Sequence, residues 1–241
     1  MTGGGATRRG SVAGAVLGGV AGVLNLGFVA EWALSGPARV GATAVSDLSI
    51  PSRPWSWAFR SADAVSALCL LALCLLVRAR RRRPAERGRF RFAWPAAWTL
   101  AAAFATSTLL AAVVTETCAP AYDPGCPERL SDASVVDVVH DVVSSAGTAC
   151  GILAALLLAV AVRRARRLSA SHAVAAALAS VTGLVFVALQ ARPQDDLSGW
   201  AQRGQILALS AWFVVAGLTA DHIARAGVEE GPGRRHEKMR A

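Results

Sequence analysis

The chain has 241 residues, 54% hydrophobic and only 17% charged, with a formal net charge of +9. This composition excludes intrinsic disorder, a fibrous protein and a small disulfide-stapled domain. A mean hydropathy of +0.43, carried in long apolar runs, argues against a soluble globular protein. One Lys against 24 Arg, with abundant Ala, points to a high-GC bacterial genome.

Crossing about 30 Å of hydrocarbon takes roughly 20 helical residues. Six segments qualify: about 11–34, 59–77, 93–114, 135–162, 170–190 and 204–224. Backbone amides find no water in lipid, so each segment is expected to be helical. The runs are continuous, as in Leu68–Val77 and Ile152–Val162, whereas a β-barrel needs short alternating strands. The expected fold is all-α, an integral membrane bundle of six transmembrane helices over residues 11–224. A short tail, 1–10, precedes it and a polar tail, 225–241, follows it. The first segment follows Arg8 and Arg9 but is longer than a secretory h-region of roughly 7–15 residues, so it reads as a retained helix.

Arginine sets the threading. Residues 78–91 after the second segment, 163–167 after the fourth, and the two tails hold 19 of the 25 basic residues. All 19 fall on one side if the six helices alternate, and basic residues near short loops stay cytoplasmic. Both termini are then inside, and loops 35–58, 115–134 and 191–203 are outside. Of the 16 acidic residues, 11 lie outside or in the outer halves of helices. The Arg clusters read as topology signals that touch anionic lipid head groups of a bacterial plasma membrane, not as a nucleic-acid surface. Protein partners are not readable.

In chain order, the first segment carries Gly14, Gly18 and Gly22, spaced by four, which suits close helix packing within the chain rather than a dimer seam. Asn25 near its mid-depth is expected to hydrogen-bond another helix. Trp32, Trp55 and Trp57 fall near the outer interface and Trp94 near the inner one, as in an aromatic belt. The second segment opens with Arg60 and Asp63, three apart and able to pair on one face. Between the third and fourth segments, Cys118 and Cys126 share one outer loop and read as a disulfide, with a metal pair as the alternative. Cys69, Cys74 and Cys150 lie within helices as small apolar residues.

The fourth segment is the most informative. Asp137, His140, Asp141, Ser144 and Thr148 follow offsets of 3, 4, 7 and 11, a stripe about 16 Å long on one helical face. Ser134-x-x-Asp137 reads as a capping box, which accounts for part of Asp137. His140 and Asp141 lie deeper, where ionisable groups cost roughly 2.5–3.5 kcal/mol on insertion scales. They are candidates for a proton relay, a ligand anchor or a metal ligand. Gln202-Arg203 opens the sixth segment on the outside, where Arg203 either answers this acidic face or snorkels to the interface.

Enzyme readings are thin. The four His are scattered, no Gly-x-Ser-x-Gly elbow is present, and no cofactor motif or metal site is expected.

Taken together, Ser46-Asp47-Leu48-Ser49, Pro54, Arg60, Asp63, Cys118, Cys126, Asp137-x-x-His140 and Gln202-Arg203 follow an ordered pattern. In this the chain resembles the bacterial multi-pass membrane proteins grouped as domain of unknown function 998, over about residues 12–222. The resemblance implies a six-helix bundle and brings no activity or catalytic residue with it. The expected function is binding of a small polar ligand or lipid head group in an outward-facing pocket between the second, fourth and sixth helices. Arg60, Asp63, Asp137, His140, Asp141, Ser144 and Arg203 would line it. A proton-coupled permease is the alternative, and a membrane-embedded hydrolase the weaker third.

Overall fold

A computed structural model describes residues 4–34, 43–80, 92–119, 123, 125–126, 134–164, 170–190 and 197–226. The basic stretches 81–91 and 165–169, the tail from 227 and the loop residues 35–42 lie outside the described residues, so the arginine pattern there is a reading of sequence alone. Helices are α1 (Gly4–Leu24), α2 (Glu31–Leu34), α3 (Ser56–Arg80), α4 (Ala93–Val113), α5 (Val135–Arg164), α6 (Ala170–Gln190) and α7 (Ser198–Ala226). No strand occurs among the described residues.

Among the described residues five helices are long and apolar enough to cross a bilayer: α3, α4, α5, α6 and α7. Their outward faces are oily, as on α6, where Val174, Leu178, Val181, Leu184 and Val187 are exposed. In water that face would be costly; in lipid it faces its natural solvent. This is an all-helical, multi-pass membrane protein in contact with the bilayer.

The first segment departs from expectation. It is not one helix over 11–34. The α-helix ends at Leu24, a 3-10 turn runs Gly27–Ala30, and the short α2 follows. The apolar part of α1 spans only Val12–Leu24. The break has a local cause. Gly27 is a poor helix former, and the Leu26 amide bonds to Val23 O, tightening the last turn. The Asn25 carboxamide is drawn to α7, donating to Ser210 Oγ at 2.8 Å.

Each long helix packs on the next in sequence, and α7 closes the ring on α1. The α1–α7 seam is made by glycine. A Cβ on Gly18 would lie 2.5 Å from Phe213 O and 2.7 Å from Gly217 Cα. One on Gly14 would lie 2.9 Å from Gly217 O, and one on Gly22 2.8 Å from Ser210 O. Side chains there would push two backbones apart, so this run of glycines serves contact inside the chain. Alanine does similar work elsewhere: Ala101, Ala154, Ala155, Ala176 and Ala179 are fully or nearly fully buried. Trp98, Leu158, Trp212 and Phe213 fill the middle of the bundle. Helix hydroxyls are satisfied locally, with Thr108, Ser180, Ser210 and Thr219 donating to the carbonyl four residues back.

At the start of α5, Ser134 Oγ accepts the Asp137 amide at 3.2 Å and Asp137 accepts the Ser134 amide at 3.2 Å. This is a reciprocal capping box. Trp55, just before α3, has φ of 65°, and its ring lies 6.2 Å from Trp57; both are exposed. The side chain of Trp32 lies outside the described residues.

Candidate functional site

A cavity of about 150 Å³ opens between the helices at the end of the bundle that carries loops 43–55 and 114–119. Chain direction explains its position. Its lining comes from the segment just past α1 (Asn25, Phe28), the C-terminal halves of α4 and α6 (Ser107, Thr108, Phe186) and the N-terminal halves of α3, α5 and α7 (Asp63, His140, Ser144, Gln205). In an alternating bundle these ends coincide. Beneath it lies the apolar middle built from Leu70, Trp98, Leu158, Trp212 and Phe213. The five helices α3 to α7 and the segment just after α1 contribute, not only the second, fourth and sixth segments.

Three of the seven expected lining residues, Asp63, His140 and Ser144, line this cavity, and Arg60, Asp137, Asp141 and Arg203 do not. Asp63 presents its carboxyl there with no hydrogen bond or ion pair among the described residues. The pairing expected between Arg60 and Asp63 does not form, and Arg60 Nε is buried without a partner. Three residues apart places two Cβ atoms on one face, but the carboxylate turns to the cavity instead.

His140 is 4% exposed. Its Nδ1 lies 2.6 Å from Val114 O, and a carbonyl only accepts, so Nδ1 carries the proton. Its Nε2 then faces Glu116 Oε1 at 3.9 Å, an electrostatic contact beyond hydrogen-bond length. Glu116 hydrogen-bonds Asp141. Burial, together with the charges of Asp47, Asp141 and Asp137, pushes the Glu116 carboxyl up to about 8 from a usual 4.5. An acidic group thus stands at the rim of the cavity, tied to it through His140.

Asp137 has a different task. Its carboxylate accepts Thr117 N at 2.6 Å, Thr117 Oγ1 at 2.9 Å and Ser134 Oγ at 2.7 Å. It fastens the loop after α4 onto the start of α5. The same loop carries Cys118, joined to Cys126 with Cα atoms 5.9 Å apart.

Arg203 does not answer the acids of α5. Its Nη2 meets Glu31 Oε2 at 2.7 Å, with both side chains buried. Its Nη1 donates to Thr43 O and Gly199 O, each at 3.0 Å. Next to it, Gln202 Oε1 accepts the Val45 amide at 2.6 Å. Segment 43–50 is therefore pinned across the top of α7. Within it Asp47 accepts the Ala44 amide at 3.2 Å. Burial raises the Asp47 carboxyl from 3.8 to about 6, against the opposing pull of that amide, Arg53 and Arg203.

Glu31, Glu116 and Gln205 were not singled out by sequence reasoning. Glu31 had a readable signal, an acid inside an apolar run. Gln205, two residues from Arg203, had none. It lines the cavity, is 3% exposed, and its Nε2 has no hydrogen-bond partner. Among the described residues no group of three or more His, Cys, Asp or Glu could hold a metal ion.

The family described as "Protein of unknown function (DUF998)" has a sequence model that matches residues 8–219. The chain belongs to this family. The match takes in every residue of the cavity's lining. No curated protein matches the DUF998 chain, and no solved structure matches it.

Proposed function

We propose that this DUF998 protein is a binding or sensing protein of the bacterial plasma membrane, whose cavity takes a small polar ligand from the outer side. The observation that carries this reading is the unpaired carboxylate of Asp63, lining a cavity together with His140, Ser144 and Gln205. A buried polar atom without a partner is expensive, and Gln205 Nε2 is one, beside the Asp63 carboxyl at the same cavity. The apolar middle beneath the cavity favours binding over passage, so a proton-coupled permease is the weaker reading. Six crossings with both termini inside are part of the proposal. It is supported by Arg78 and Arg80 at the opposite end of α3, beside anionic lipid head groups, and by a disulfide suited to an oxidising exterior.

Cysteine mapping tests this. In a variant with Cys69, Cys74 and Cys150 replaced by Ala, Ser144→Cys is expected to react with a membrane-impermeant maleimide added outside. Reaction from the inside alone, or reporter fusions that place Arg81 and Arg164 on opposite faces, would overturn the reading.

A further inference from the structure

We propose that the cavity takes a compact organic cation of the amino-alcohol class, an alkylammonium that also carries a hydroxyl or ester oxygen. This rests on the reading of the cavity as a ligand site and names the chemistry of its occupant.

Charge decides the class. Among the described residues Asp63 brings a carboxyl to the cavity with no hydrogen bond or ion pair, and no Arg or Lys lines the space. An anion would meet that carboxyl with no counter-charge, whereas an ammonium supplies one and favours the ionised form of the acid. Asp47 and Asp141, next in sequence to the lining residues Ser46 and His140, add a field of the same sign that attracts cations. A metal ion does not fit, because the described residues offer no set of three or more ligating side chains.

The remaining lining suits an organic cation. Phe28, Phe59, Phe104 and Phe186 border the cavity. Aromatic rings attract ammonium groups through their quadrupole and tolerate methyl groups on them. Gln205 has an amide nitrogen to spare, a donor for a ligand oxygen. The volume, about 150 Å³, matches a benzene-sized molecule, which is also the size of a trimethylammonium group. A free amino alcohol and a lipid head group share this chemistry.

The test uses the full chain purified in detergent and titrated with choline, with its neutral isostere 3,3-dimethylbutan-1-ol, and with tetramethylammonium. Binding is read by calorimetry and by thermal shift. Choline is expected to bind about tenfold or more tighter than the isostere. Asp63→Asn should erase that preference while the isostere still binds. Gln205→Leu should weaken choline but leave tetramethylammonium unchanged, a split that a misfolded variant could not give. Equal affinity for choline and the isostere, or a preference that survives Asp63→Asn, overturns the cation class and leaves the cavity reading standing. Failure of all three probes to bind, with Ser144→Cys unreactive from outside, overturns both. Nanodiscs separate the sources: phosphatidylcholine that competes with choline, where phosphatidylglycerol does not, supports the class and assigns it to the lipid. Choline affinity equal in both lipids supports the class and assigns it to the free molecule.

Discussion

Arg203 and Glu31, 172 residues apart, meet at 2.7 Å with their side chains 4% and 1% exposed. The pair ties the region just past the break in α1 to the first turns of α7. A buried pair that loses one member leaves a bare charge in a low dielectric, at a cost of about 3–5 kcal/mol. Arg203→Met is therefore expected to lower stability in detergent steeply. Arg203→Met combined with Glu31→Gln should recover much of the loss, measured by thermal unfolding. Equal stability of the single variant and the parent would show that the pair carries no weight.

The glycine seam makes a second prediction with its own control. Gly18→Ala places a methyl group 2.5 Å from Phe213 O and 2.7 Å from Gly217 Cα, forcing α1 and α7 apart. The expected cost is about 1–3 kcal/mol. Gly19 is one residue away with nothing within 4 Å of an added Cβ, so Gly19→Ala should be neutral. The same unfolding assay compares the two.

Glu116 predicts a pH dependence. Its carboxyl is raised in the folded chain from a usual 4.5 to about 8, so the folded state holds a proton that the unfolded state releases. Its contribution is fully present below about 4.5 and is lost as pH rises through about 8. Asp47 adds a smaller effect of the same sign between 3.8 and about 6. Glu116→Gln should flatten the stability profile between pH 6 and 8, which thermal shift across buffers reads directly.

The bond between Cys118 and Cys126 closes a loop of sequence separation 8. Removing it with a reductant, or by Cys118→Ser with Cys126→Ser, should cost roughly 2–3 kcal/mol in the chain-entropy model. Thr117, next to Cys118, is also held by Asp137, so Asp137→Ala in the disulfide-free chain should loosen the loop further. Limited proteolysis near residue 120 measures it.

The spans were legible because helix length in lipid is set by bilayer thickness, and α3 to α7 each carry an apolar run of the right size. The polar stripe on α5 was legible for the same geometric reason, since helical offsets fix which residues share a face. What each member of the stripe does was not. Asp137 serves the helix start, His140 reaches Val114 and Glu116, and Ser144 meets the cavity. Periodicity shows which residues share a face and says nothing of what lies opposite. The same limit hid the partner of Arg203, since spacing along one helix cannot reveal an acid 172 residues upstream. The end of α1 was hidden differently. Apolar residues continue on both sides of Asn25, and the end of the helix depends on a glycine and on a carboxamide recruited by another helix.

Because α1 and its extension rely on α7 for their closest contacts, the order of synthesis leaves a gap. When the ribosome has delivered α1, the flat glycine surface has no cover and Glu31 has no counter-charge. Both wait while four intervening spans are inserted, and only then does α7 arrive to dock. Every nascent copy therefore passes through a stage with an unfinished edge, the stage at which membrane chaperones and proteases have most to recognise.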